Sequence, residues 1–168
     1  NYEVFGFSYG PNVRDELRAR LERGFDKLVD VGSASDYEIA MLARDMEIDI
    51  AVDLGGHTEG GRTGIFSCRA APVQVGYLGY LGTMGAKYYD YMIADRTLVP
   101  EENQRNFVEK IVYLPNSFQV NDAQREISDR PVTREQFGLP ETGFVFCCFN
   151  NNFKIIPAVF DRWARIMR

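Results

Sequence analysis

The sequence has few of the residues that build metal or redox centres: three cysteines and one histidine in 168 residues. Cys147 and Cys148 are neighbours in an apolar run and Cys68 stands apart. That spacing suits neither a disulfide framework nor a metal site, so a reducing, cytoplasmic setting is expected. No apolar run reaches the roughly 18 residues a membrane helix needs, so no membrane partner is expected. Basic residues are outnumbered, 19 against 24, for a net charge of −5. They form no block, and nucleic acid is not an expected partner. No secretory signal is visible, and a chain starting at Asn1 without Met is expected to have lost an upstream part. There is no internal repeat and no low-complexity tract. What the sequence does have is 45% hydrophobic and 13% aromatic residues, enough to fill a core. Its length suits one domain, or one domain with a piece of a second.

Strand-like and helix-like segments alternate. Glu3 to Tyr9 reads as a strand closed by Gly10-Pro11. Asn12 is placed to cap a helix with Asp15 and Glu16 in its first turn and Val13, Leu17 and Leu21 as its apolar stripe. Phe25 to Val31 reads as a second strand. Ser35 to Glu38 has capping-box spacing before an apolar stripe of Ile39, Leu42, Ala43 and Met46. Ile48 to Leu54 has the pattern of a strand covered on both faces. Val73 to Leu78, Tyr91 to Ala94 and Ile111 to Leu114 follow as strands, and residues 121 to 132 are polar enough for a linker. Thr133 to Phe137 predicts a short helix stopped by Gly138. Phe144 to Phe149 predicts a buried strand, and Pro157 a last helix with Phe160, Trp163 and Met167 on one face. The alternation predicts an α/β fold, a Rossmann-like parallel sheet with helices on both faces.

Open parallel sheets bind ligands beyond the carboxyl ends of their strands, and three stretches fall at such positions. Gly55 to Gly64 has five glycines that let a ligand approach the backbone, with His57, Thr58 and Arg62 able to project into a crevice. The alternative is a turn that needs glycine, with Arg62 in solvent, since the order G-x-G-x-x-G is absent. Gly76 to Gly85 supplies a second glycine-bearing loop, or aromatic packing around Tyr77 and Tyr80. In NNNFKIIP, residues 150 to 157, Lys154 precedes a helix N-terminus that already carries partial positive charge. An anion such as phosphate between them, flanked by Asn150 and Asn151, accounts for that arrangement, as does a solvated lysine.

Four motifs taken in order, DLGGHTEGGR, RAAPVQVGYLGYLGTMGAKYYDYMIAD, EKIVYLPNSFQVND and FCCFNNNFKIIP, resemble the catalytic region of the O-GlcNAc transferase and SPINDLY-like glycosyltransferases. The resemblance runs from Asp53 to Pro157. It implies two Rossmann-like lobes in the GT-B arrangement, with transfer of N-acetylglucosamine from UDP-GlcNAc to Ser or Thr of intracellular proteins. It implies no metal and no cofactor beyond the nucleotide-sugar, which is a substrate, and acceptor proteins selected by tetratricopeptide repeats upstream. It divides the chain into the later part of an N-terminal lobe (1–120), a linker (121–138) and the start of a C-terminal nucleotide-sugar-binding lobe (139–168). The histidines proposed for catalysis would lie upstream of Asn1, and most uracil and ribose contacts beyond Arg168. The isolated chain is therefore expected not to catalyse transfer.

Carried over residue by residue, the resemblance implies that Lys154 contacts the donor diphosphate and stabilises it as UDP leaves. Lys154 and His57 are the candidate catalytic residues, although some relatives carry Tyr at the His57 position. Thr58, Arg62, Leu78, Gly79, Leu81 and Asn151 are the candidate substrate-binding residues. Leu81 stands where relatives have proline, Ile156 where an Asp would cap the last helix, Phe153 where a Tyr is seen, and Glu59 where some have Lys or Gln. Two further readings stay open: a related enzyme using another nucleotide-sugar such as GDP-fucose, and a non-catalytic scaffold that keeps the fold.

Overall fold

The computed structural model describes residues 2–11 and 13–168. The helix cap expected at Asn12 lies outside the described residues. Strand β1 (Phe5–Ser8) leads through α1 (Glu16–Gly24) to β2 (Lys27–Asp30), and α2 (Asp36–Asp45) then precedes β3 (Ile50–Asp53). A short α3 (Thr63–Ser67), which the glycine-rich reading did not anticipate, leads into β4 (Val73–Gly76), β5 (Tyr91–Ala94) and β6 (Lys110–Tyr113). All pairings among these strands are parallel: β1 with β2, and β3-β4-β5-β6 in sequence order. Parallel neighbours need a crossover between them, which is why strands and helices alternate along the chain.

The helix starts follow from side-chain chemistry. Asp15 caps α1 by accepting from the Arg18 N–H at 2.7 Å. Ser35 and Glu38 form the expected capping box, Ser35 Oγ accepting from Glu38 N–H and the Glu38 carboxylate accepting from Ser35 N–H at 2.7 Å. Those bonds from Ser35 hold the Glu38 carboxyl below its usual value. Helix α2 then buries Ile39, Ala40 and Ala43 against Ile65 and Phe66 of α3, with Val31 and Tyr89 in the same cluster. Gln74, fully buried on β4, joins these layers. Its carbonyl oxygen accepts from Ala70 N–H at 2.8 Å, and its amide donates to Phe66 O at 2.8 Å and Tyr88 O at 2.6 Å.

The strand at Ile48 to Leu54 is covered on one face only, not both. Ala51 and Asp53 point inward, whereas Ile50, Val52 and Leu54 are each about half exposed. Continuity of the register puts Val112 of β6 on that same open face, where it too is exposed. Of the expected helical stripe, only Leu17 and Leu21 lie on α1, both exposed; Val13 precedes the helix, because Asp15 is its cap rather than part of its first turn.

The chain divides after Asp122 into two compact units, within the segment expected to be a linker. In the second unit Thr133 and Gln136 bond reciprocally, and a short 3-10 turn (Glu135–Phe137) ends at Gly138 with φ of 64°. Helix α4 (Pro157–Ile166) forms as expected, but Phe160 and Met167 are exposed and only Trp163 is partly covered. The buried strand expected over Phe144 to Phe149 is not formed: Phe144 and Phe149 are 82% and 95% exposed. A strand satisfies its backbone only through a neighbouring strand, and the described residues from 123 to 168 contain none.

Gln74→Leu keeps the volume but strands the buried Ala70 N–H, worth about 1–3 kcal/mol, whereas Phe66 O and Tyr88 O still accept from Arg69. Urea unfolding is expected to show a loss of about 1–3 kcal/mol, with an unchanged slope. A loss below about 1 kcal/mol would mean that water replaces the amide.

Candidate functional site

β3 delivers Asp53 to the carboxyl edge of the sheet, where it is 3% exposed. One carboxylate oxygen accepts from the Gly55 and Gly56 N–H groups, both at 2.9 Å, so the chain turns around it. The other accepts from the Tyr89 hydroxyl. Burial, reinforced by that bond, pushes the Tyr89 phenol far above its usual range, so it remains the donor. The turn closes through Thr58 N–H to Gly55 O at 3.3 Å and Gly61 N–H to Thr58 O at 3.0 Å. A Cβ on Gly61 would stand 2.1 Å from Gly56 O, so a side chain there has no room.

The turn after β4 fits against this one. A Cβ on Gly79 would lie 2.2 Å from Leu54 O, so Gly79 is glycine because the neighbouring turn approaches its backbone. Leu78 beside it has φ of 72°, the left-handed region that a branched side chain occupies at a cost of about 1–2 kcal/mol. His57 bridges the two turns. Its Nε2 lies 3.2 Å from Met84 O, and its ring meets the Tyr80 ring edge-on with centroids 5.1 Å apart. Beneath them is a small cavity lined by Asp53, Gly56, Tyr77, Tyr80, Met84 and Glu109 among others.

The structure therefore brings His57, Thr58, Leu78, Gly79 and Leu81 to one pair of adjoining turns, with His57, Thr58 and Leu81 exposed. The Thr58 hydroxyl is turned back onto Gly55 O at 2.7 Å. Arg62 is directed elsewhere: it donates to Asp36 at 2.7 Å and Ala34 O at 2.8 Å and lies over the Tyr9 ring. Its guanidinium fastens the β3 turn to the start of α2, so it is neither solvated nor an open cation.

Asn151 and Lys154 belong to the second unit. Asn151 O accepts from Lys154 N–H at 3.0 Å across a 3-10 turn (Asn152–Lys154), and the exposed Lys154 ammonium lies 6.0 Å from the Phe153 ring centroid. The turn leads into α4 through Ile156, which makes no side-chain cap bond. The ammonium thus sits two residues before an N-terminus that carries partial positive charge.

Sequence reasoning passed over Asp53, Tyr89, Met84 and Glu109. An aspartate before paired glycines was a usable signal, because Asx side chains commonly bond the backbone two residues on. Glu109, between Val108 and Lys110, gave none: nothing local marks it as 5% exposed.

The two glycine positions separate by mechanism. Gly60 has φ of 77° and open space around its missing side chain, so Gly60→Ala is expected to cost only about 1–2 kcal/mol of backbone strain. Gly79→Ala drives a methyl into Leu54 O, and its cost is expected to be larger, about 3 kcal/mol. Equal shifts in urea midpoint would show that the turns are not in forced contact.

The family model for glycosyl transferase family 41 matches residues 1–131 and 126–168. A protein of Arabidopsis thaliana, named as the probable UDP-N-acetylglucosamine–peptide N-acetylglucosaminyltransferase SEC, is 35% identical over all of this chain and 18% of its own length. The SPINDLY protein of the same plant, also named a probable UDP-N-acetylglucosamine–peptide N-acetylglucosaminyltransferase, is 37% identical over 82% of this chain and 15% of its own length. Among solved structures, a lysine-to-methionine mutant of Thermobaculum terrenum O-GlcNAc transferase superposes with a TM-score of 0.81 at 33% identity, over 99% of this chain and 30% of that one. The chain thus spans less than a third of each of these relatives. Parallel sheets, the two adjoining turns and the match along the whole chain agree: this chain belongs to glycosyl transferase family 41.

Proposed function

We propose that this chain is part of the catalytic region of a protein O-linked N-acetylglucosamine transferase. Such an enzyme moves GlcNAc from UDP-GlcNAc to Ser or Thr hydroxyls of intracellular proteins by inverting displacement. Supporting this, the chain matches family 41 along its length, and the two plant relatives bear names that state this transfer. The observation that carries it is the interlocked pair of turns, where missing side chains leave backbone and one imidazole at the sheet's carboxyl edge. In this reading the His57–Thr58 turn and the loop of Leu78, Gly79 and Leu81 contact the sugar. Asn151 and Lys154 contact the diphosphate.

The chemistry is direct attack of an acceptor hydroxyl on the anomeric carbon as the diphosphate leaves. Lys154 and the uncapped N-terminus of α4 supply positive charge for the leaving group, which removes the need for a metal. The donor is a substrate, and no further cofactor enters. Acceptor proteins are selected by parts of the longer polypeptide, upstream repeats in this reading. No described helix is long and apolar enough to cross a membrane, and a cytoplasmic enzyme is the proposal.

Lys154→Ala in the full-length protein tests the assignment. Loss of one leaving-group contact is expected to lower kcat by about 100-fold or more. The melting temperature should hold, because the Lys154 side chain is exposed. Unchanged transfer would remove Lys154 from the mechanism. Running the parent enzyme with UDP-GlcNAc and GDP-fucose in parallel identifies the donor, and transfer with neither would favour a scaffold.

A further inference from the structure

Glu109 precedes β6 and is almost fully buried, yet it has no described cationic partner. A buried carboxylate is costly unless its oxygens find donors. Here both do. One oxygen accepts from Met84 N–H and the other from the Thr83 hydroxyl, each at 2.7 Å. The Thr83 oxygen also accepts from Gly85 N–H at 3.1 Å and from Val108 N–H at 3.3 Å. Because it accepts from those two amides, its single proton goes to Glu109, and the direction of every bond in the group is set.

The consequence lies one peptide further on. The peptide joining Met84 to Gly85 is held at both ends. Its N–H is held by Thr83, and its carbonyl lies 3.2 Å from His57 Nε2. A carbonyl oxygen only accepts, so the neutral imidazole carries its proton on Nε2 and leaves the Nδ1 lone pair open. No hydrogen bond to Nδ1 is described, and His57 is exposed. The Tyr80 ring fixes the remaining freedom of the imidazole by edge contact.

We infer that Glu109 is a positioning residue: through Thr83 and the Met84–Gly85 peptide it fixes the His57 ring with its proton on Nε2 and presents Nδ1 as a hydrogen-bond acceptor to a ligand hydroxyl. Glu109 itself touches no substrate. It sits 52 positions along the chain from the ring it orients, a connection that exists only because the β4–β5 link folds back between them. That the hydroxyl belongs to a sugar or its acceptor rests on the proposed transferase function; the relay itself does not.

His57 is the only histidine in the sequence, so nitrogen-15 spectra of the 168-residue chain report one imidazole. In the neutral ring, Nε2 is expected to be the protonated nitrogen, with its N–H slowed in exchange. Glu109→Ala is expected to speed that exchange about tenfold, the effect of losing one ordered hydrogen bond. Thr83→Val, which removes only the hydroxyl, should do the same and serves if Glu109→Ala fails to fold. Glu109→Gln presents a single acceptor oxygen to two donors, Met84 N–H and the Thr83 hydroxyl, whose oxygen already accepts from two amides, so it too should speed the exchange. A proton resident on Nδ1, or unchanged exchange in Glu109→Ala and Thr83→Val, would overturn the inference. These spectra need no turnover, so they stand apart from any failure of the transferase reading. In the full-length enzyme, Thr83→Val is expected to lower kcat/KM for UDP-GlcNAc about tenfold on the parent. On a His57→Ala background it should lower it less than about twofold, because the effect passes through that ring. Full additivity would show that Thr83 acts without His57.

Discussion

The Asp53 carboxylate is the constraint on which the site depends. It ends β3, gathers two successive glycine N–H groups on one oxygen and takes the Tyr89 hydroxyl on the other. Tyr89 belongs to the β4–β5 link and to the main core cluster, stacked on Phe66. One buried anion therefore ties a turn at the sheet's edge to the packed interior. Without it the glycine turn would keep its freedom and lose its reason to adopt one course. Charge-assisted bonds of this kind are stronger than neutral ones, and burial strengthens them further.

The second constraint is steric. The turn after β3 folds on itself so closely that a Cβ on Gly61 would meet Gly56 O at 2.1 Å, and the turn after β4 approaches it so closely that a Cβ on Gly79 would meet Leu54 O at 2.2 Å. Glycine here serves chain-to-chain contact first, and access for a ligand follows from it. The same closeness lets His57 on one turn reach Met84 on the other. Arg62 belongs to this scaffold as well, holding the far end of the turn to α2. Two carboxylates, one guanidinium and missing side chains thus hold the rim, and the exposed groups His57, Thr58 and Leu81 remain for recognition.

Several apolar patterns stay uncovered. Ile50, Val52 and Val112 on one sheet face, Leu17 and Leu21 on α1, and Phe160 on α4 all have the spacing of buried positions and are exposed. Burying such side chains is worth about 1.5–3 kcal/mol each, and these elements form without that contribution. The helices persist because their hydrogen bonds are internal and, in α1 and α2, capped. The run from Phe144 to Phe149, which needs a neighbour for every backbone bond, does not become a strand.

Period and punctuation were enough to read most of the elements from the sequence, though not α3, and they overcalled a strand at Phe144 to Phe149. Alternation implied the parallel sheet, Ser35 and Glu38 marked the start of α2, Gly138 a stop, and Pro157 the last helix. The glycine clusters pointed to the turns, because they carry composition that regular elements avoid. Those are local properties, and a linear sequence states them directly. Partnership is not local. Arg62 reads the same whether it faces solvent or Asp36, Glu109 the same whether solvated or clasping Thr83 and Met84, and a Phe-rich run the same with or without strands beside it. The sequence alone determined which segments could become strands, helices and turns, because backbone preference and side-chain period act over a few residues. Only the tertiary structure decided which charges are buried, that Gly79 touches the Leu54 carbonyl and which way the one imidazole carries its proton, because each depends on contacts between groups 25 to 27 positions apart.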